Sequence, residues 1–223
     1  MKLLFLDATQ DWIHISLSFL EDSKSLHLIE ELVELCPKES SFRLVSEIDR
    51  ILKKPSWVRP DAIICLNGPG SFTGLRVTVS TARNLSQLWK IPALPIDSLA
   101  AYSAYYSEST GLPVLIAIDG KQNKHYFGIH SNGLFEGSFD LTEEDIESKI
   151  GVAVETKHLY VYYGKKPRCF PDNATKIEET LPKSMPILLL NIENILKLNY
   201  HSSNFNHITP NYIRGSYVET NKK

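Results

Sequence analysis

One short signature occurs twice in the chain. Near the start, LLFLDATQ is an apolar run ending in Asp7; past the middle, VLIAIDGK repeats it and ends in Asp119. An apolar run without polar alternation reads as a central strand covered on both faces. The segments downstream of the two runs are also alike. After Asp7, the residues Ile13, Ile15, Leu17 and Phe19 alternate with His14, Ser16 and Ser18, which predicts a second strand with His14 on its polar, outward side. A third strand is expected over Leu26 to Val33. From Phe42 to Lys54 the spacing of Leu44, Val45, Ile48, Ile51 and Leu52 gives an apolar helical stripe, with Ser40 or Ser41 as cap and Lys53, Lys54 and Pro55 at the end. Next come a buried strand (Asp61 to Leu66), a helix (Leu75 to Lys90), a short strand (Ala93 to Ile96) and a helix from Asp97. In the second copy HYFGIH and GLFEGSFDL supply two strands, TEEDIESKI a helix with Thr142 as cap, HLYVYYG a strand, and PILLLNIENILKLN one late helix.

Three strands, helix, strand, helix, strand, helix, followed by a partial repeat, is the order of the ribonuclease H-like fold. Duplicated, it is the actin-like ATPase (ASKHA) architecture: an α/β chain of two tandem subdomains, each a mixed sheet flanked by helices. The expected boundary separates an N-terminal subdomain, 1–108, from a shortened C-terminal one, 109–223. A formal charge of −2 gives no basic face for autonomous nucleic-acid binding. The three cysteines, Cys36, Cys65 and Cys169, are widely spaced, without zinc or dithiol pairings, which fits a reducing cytoplasm. The apolar run before Asp7 is only four residues long and no run reaches the ~20 residues of a membrane span, so no membrane association is expected.

Between the strand DAIICL and its helix lies NGPGSFTGLR. Gly68 and Gly70 permit a sharp reversal, and Ser71 or Thr73 can cap the helix. Two readings stand: a structural turn, or a helix N-terminus that holds a phosphate with Asp7 nearby. The stretch lacks the Gly-Lys-Ser/Thr of a P-loop and is not Gly-x-Gly-x-x-Gly. On the helix beyond, Leu75, Val79, Ala82, Leu85 and Trp89 occupy one face, and Arg76, Ser80, Arg83, Gln87 and Lys90 another. The second stripe reads as a solvated face or, given the small residues near it, as a polar protein interface.

GPGSFTGLR after an apolar strand, followed by a small-residue helix and IPALPIDSLAA, resembles the TsaB (YeaZ) family. The start LLFLDATQDWIHISL, the segments LCPKESSFRLVSEIDRIL and LIAIDGKQNKHYFGIH, and the terminal ITPNYIRG come in the same order. The resemblance is weak over 131–207, which receives no role. It implies a non-catalytic partner of a TsaD-type subunit, which with a TsaE-type ATPase threonylcarbamoylates adenosine 37 of tRNA. The chain would meet tRNA only indirectly, through that complex. Family contacts with the partner lie largely on two helices, here Ser41 to Lys53 and Leu75 to Lys90. The candidate interface is accordingly Leu44, Ile48, Ile51, Arg76, Ser80, Ala82, Arg83 and Gln87, and the same surface suits a two-fold homodimer. The family often has His-Ser or His-Thr before the first helix, where this chain has Ser40-Ser41.

Catalytic sets look incomplete. TsaD-type relatives carry NHLEGH, whose histidines hold a metal; against it stands DSLAAY, with Ser98 and Tyr102 at the ligand positions, both poor replacements for imidazole. None of the seven histidines forms an i, i+4 pair. DATQDW has no glycine to wrap a triphosphate, and a nuclease would need an acid where Asn67 ends the fourth strand. The expectation is no cofactor of the chain's own, with ATP or ADP only at a shared interface. The alternative is a small ATP-binding phosphotransferase or hydrolase using Asp7, Gly68, Gly70, Ser71 and Thr73.

Overall fold

The N-terminal sheet is built around a strand with no solvent face. In the computed structural model, which describes residues 1–22, 25–54, 59–153, 157–198 and 207–213, β1 (Lys2–Asp7) pairs antiparallel with β2 (Trp12–Leu20) and parallel with β4 (Ala62–Leu66). β3 (Leu26–Leu35) and β5 (Ala93–Ile96) complete the order β3-β2-β1-β4-β5. Successive side chains of a strand point to opposite faces, so Leu3 and Phe5 enter one core while Leu4 and Leu6 enter another. The second copy repeats the plan. β6 (Val114–Asp119) lies between β7 (Lys124–Ser131) and β9 (Leu159–Tyr163), with β8 (Leu134–Thr142) and a two-residue β10 (Thr175–Lys176) at the edges.

Helices divide the molecule into layers. α1 (Ser40–Leu52) and α2 (Phe72–Trp89) cover the outer face of the first sheet, where Leu44, Ile48, Ile51, Val79 and Ala82 pack on Leu4, Leu6, Ile13 and Ile15. α4 (Glu143–Ala153) covers the outer face of the second through Ile146. Between the sheets lie α3 (Ser98–Thr110) and α5 (Ser184–Leu190), in one core shared by Phe5, Ile64, Tyr102, Ile116, Val161 and Leu188. A common core makes the halves one cooperative body, since each buried Leu or Ile there contributes about 1.5–3 kcal/mol.

Several expectations change. His14 is not a surface residue: it is 1% exposed, because the inner face of β2 is covered by the second half of the chain. Its Nε2 lies 3.0 Å from Glu31 Oε1, and the same oxygen accepts the Ser184 N–H and hydroxyl at the start of α5. Burial pushes the Glu31 carboxyl up, but the His14 bond and charge and the Ser184 donors outweigh it, bringing it from the usual 4.5 to about 2. Ser40 does not cap α1; its hydroxyl donates to the Gln10 carbonyl, and Glu39 holds the cap position without a side-chain bond. The Ser41 side chain, Pro55, Arg214 and Gly215 lie outside the described residues. The late helix is two, α5 and α6 (Ile192–Leu196), broken at Asn191, whose amide donates to the Ile187 carbonyl. α3 runs on to Thr110, past the expected boundary at 108.

The terminal segment 207–213 returns to the first half. Ile208 is fully buried in the core beneath α1 and α2, Asn211 N–H donates to the Asn67 carbonyl (2.6 Å), and Asn67 Nδ2 donates to the Thr209 carbonyl (3.1 Å).

Ile208→Ala is expected to cost about 3 kcal/mol in urea unfolding; an unchanged midpoint would show that this segment adds nothing to the N-terminal core. For Glu31, the folded carboxyl sits below its unfolded value, so its stabilisation is full above pH about 4.5 and is lost as pH falls toward about 2. Glu31→Gln should cost about 2 kcal/mol at neutral pH, and the gap to the unsubstituted chain should close on acidification.

Candidate functional site

Asp7 ends β1 with its side chain fully buried. An unpaired carboxylate there would cost several kcal/mol, and the chain meets the charge with four donors of its own. Oδ1 accepts the Thr9 N–H (2.8 Å) and the Thr9 hydroxyl (2.7 Å). Oδ2 accepts Trp12 Nε1–H (3.0 Å) and the Tyr102 hydroxyl (2.7 Å). Both oxygens are thereby filled. Burial first, and the Asp7 charge second, push the Tyr102 phenol well above its ordinary value, which keeps it a neutral donor. Ser98 completes the cluster, 3.4 Å from Thr9 Oγ1. The two positions that face metal ligands in the TsaD-type motif thus close a hydrogen-bonded knot around Asp7. Neither oxygen of Asp7 is free of a donor from the chain itself. Among the described residues no three His, Cys, Asp or Glu side chains stand together as a metal-binding group.

The glycine turn cradles the chain's own backbone. Gly68 and Ser98 exchange bonds, Gly68 N–H to Ser98 Oγ (3.2 Å) and Ser98 N–H to the Gly68 carbonyl (2.8 Å). Ser71 N–H donates to the Thr9 carbonyl (2.7 Å), and Ser71 Oγ caps α2 by accepting Gly74 N–H at 3.4 Å. A Cβ on Gly70 would stand 2.4 Å from the Thr9 carbonyl oxygen, and one on Gly74 2.1 Å from that of Ala8. These glycines are small so that the turn and the first turn of α2 can lie on the β1–β2 connection. Donors that a phosphate would use at Gly68 and Ser71 are already spent; Thr73 is exposed and outside the knot.

The space between the two aspartate turns is occupied as well. Trp12 meets Tyr163 of β9 edge-on at 5.2 Å and Tyr102 at 5.5 Å. The Tyr163 hydroxyl donates to Asp11 Oδ2 at 2.8 Å, tying the β1–β2 connection to the second sheet. Asp119 closes a turn like that of Asp7, accepting Lys121 N–H at 2.9 Å, with Lys121 Nζ at 2.7 Å.

The candidate interface residues divide. Leu44, Ile48, Ile51 and Ala82 are buried beneath the helices and cannot reach a partner, because the apolar stripe of a helix packed on a sheet points inward. Arg76, Ser80, Arg83 and Gln87 are exposed along the outer face of α2. Sequence reading missed the exposed apolar groups beside them: Phe42 (83%) and Leu88 (72%), with Val45 (61%) turned out of the stripe assigned to it. The available signal was that Phe42 and Val45 fall off the helical spacing of Leu44, Ile48 and Ile51, leaving apolar side chains on both faces of α1.

Residues 34–158 match the family model described as TsaD, tRNA N6-adenosine threonylcarbamoyltransferase. Among curated proteins, the chain is 29% identical over 134 residues to the tRNA threonylcarbamoyladenosine biosynthesis protein TsaB of Haemophilus influenzae, covering 57% of this chain and 52% of that protein. It is 28% identical over 140 residues to the protein of the same name from Bacillus subtilis, covering 61% and 58%. The aligned stretch thus spans about half the length of the curated relatives it matches. Among solved structures, a Pseudomonas aeruginosa protein described as similar to peptidase YeaZ superposes with a TM-score of 0.72 over 96% of this chain and 99% of that one, at 21% identity, which speaks for the fold. With a family model matching more than half of the chain and TsaB proteins as its curated relatives, the chain belongs to the TsaB (YeaZ) family.

Proposed function

We propose that this chain is a non-catalytic scaffold that docks on a TsaD-type subunit and supports formation of threonylcarbamoyladenosine at position 37 of tRNA. The observation that carries the reading is the Asp7 carboxylate, whose acceptor positions are all occupied by Thr9, Trp12 and Tyr102. In an actin-like phosphotransferase that carboxylate would face the metal and the phosphates; here it holds the fold. What remains for work is surface: the outer faces of α1 and α2, with Phe42, Val45 and Leu88 among Arg76, Ser80, Arg83 and Gln87. An exposed aromatic side chain and arginines within an apolar patch are the composition of protein interface centres. The names of the curated relatives place them in threonylcarbamoyladenosine biosynthesis.

The same reading assigns catalysis to the partner, brings in a TsaE-type ATPase after the partner has docked, and leaves tRNA contact to the complex. A homodimer of the isolated chain would use the same helix faces. Any ATP or ADP would sit at a shared interface. No helix among the described residues is long and apolar enough to cross a membrane.

Ser80→Arg places a long charged side chain on the exposed face of α2 without touching the core. It should abolish co-elution with the cognate TsaD-type protein and lower reconstituted tRNA threonylcarbamoylation at least tenfold, with an unchanged melting temperature; intact co-elution would refute the docking surface. Calorimetry of the isolated chain with ATP and magnesium should give no micromolar binding. Such binding, lost in Asp7→Asn, would instead favour a phosphotransferase or hydrolase.

A further inference from the structure

The terminal segment does more than fill the N-terminal core. Tyr212, next in the chain after the backbone clasp between Asn67 and Asn211, reaches α2. There Arg76 Nε donates to the Tyr212 hydroxyl at 2.9 Å, and the Arg76 guanidinium carbon lies 3.7 Å from the centre of the Phe72 ring. Phe72 and Tyr212 stand 5.9 Å apart. One edge and one face of the guanidinium are thus held by two aromatic side chains. Tyr212 is itself fixed by buried Ile208 and by Asn211, whose Nδ2 donates to Asp97 Oδ2 at 3.0 Å.

Among the described residues this arginine has no acid beside it. Arg43 and Arg50 pair with Glu34 and Glu47, and Arg168 pairs with Glu143. Among the described residues neither Arg76 nor Arg83, two turns further along the same face, has a carboxylate partner, and α2 contains no Asp or Glu at all. A guanidinium pinned through Nε and one face keeps its terminal amino groups as a fork suited to a bidentate carboxylate. Much of the entropy lost on fixing such a side chain has already been lost before binding.

We infer that Arg76, held by Phe72 and by Tyr212 of the terminal segment, is a preorganised anchor for a carboxylate on the partner subunit. The inference rests on the docking surface proposed above and adds a residue from the far end of the chain to it. A protein carboxylate suits the surroundings better than an RNA phosphate. The chain has a formal charge of −2, and exposed Phe42, Val45 and Leu88 lie on the same two helices, whereas RNA binding calls for a broad basic face.

The test is affinity of the full chain for the cognate TsaD-type subunit, measured by calorimetry at low and high salt. Arg76→Ala should weaken binding about tenfold or more, and Arg76→Lys should restore little, because an ammonium has no fork. Tyr212→Phe keeps the ring but removes the bond to Nε. It should weaken binding a few-fold and reduce the salt dependence, with an unchanged melting temperature. Should Ser80→Arg abolish binding while Arg76→Ala and Tyr212→Phe bind normally, the anchor is overturned and the docking surface stands. Normal binding by Ser80→Arg would remove the surface and the anchor together. If Arg76→Ala left partner affinity intact but weakened tRNA binding by the assembled complex, the arginine would belong to RNA and the inference would fail.

Discussion

A carboxylate at the end of a strand with no solvent face must be neutralised, coordinated or surrounded by donors, and at Asp7 the third solution organises the molecule. Thr9 closes the turn after β1, Trp12 enters from β2, and Tyr102 comes from α3, distant in sequence. Removing any one would leave a buried acceptor short, at about 1–3 kcal/mol. The same bonds fix where the β1–β2 connection lies. That connection supplies the Thr9 and Ala8 carbonyls against which Gly70 and Gly74 pack, so the start and direction of α2 depend on it. The outward face of α2, with Arg76, Ser80 and Arg83, is therefore positioned by a charge buried behind it.

The shared inner core comes from the same arrangement. Two-lobed nucleotide enzymes need a cleft that can open, and a polar gap between the sheets would allow it. Here Trp12 and Tyr163 meet within that gap, the Tyr163 hydroxyl takes hold of Asp11, and Glu31, which holds His14 within its own sheet, accepts from Ser184 of the second half. Opening would expose the indole and strip Glu31 of its two Ser184 donors. A body held this way resists separation of its two sheets.

Periodicity made the strands and outer helices legible, because each is covered on one side by its near neighbours in sequence. It failed where the cover comes from far away. His14, Ser16 and Ser18 alternate as a solvated face would, yet α3, α5 and the second sheet cover them, and no local pattern announces that. The helix stripes were read correctly as apolar faces but wrongly as contact surface: Leu44, Ile48, Ile51 and Ala82 are apolar because they meet the sheet. The break at Asn191 was missed because the apolar residues continue across it, while a side-chain amide takes the Ile187 carbonyl. The role of 207–213 could not be read from spacing, since Ile208 and Tyr212 find their partners in the first half of the chain.

The glycine turn shows that small residues after a strand can be required by the chain's own packing. In a phosphate-binding loop, glycines are small so that a ligand can approach the backbone. At Gly70 and Gly74 the approaching group is the chain's own β1–β2 connection, and a single methyl would meet a carbonyl oxygen at 2.4 or 2.1 Å. Packing of the turn is a sufficient physical reason for glycine at both positions. At Ser98 and Tyr102 an alcohol and a phenol serve the fold, because each completes the hydrogen bonds of a buried carboxylate and its turn. The contacts that satisfy Asp7 thus also seat the turn on which α2 begins, and with it the outer face that α2 presents to solvent.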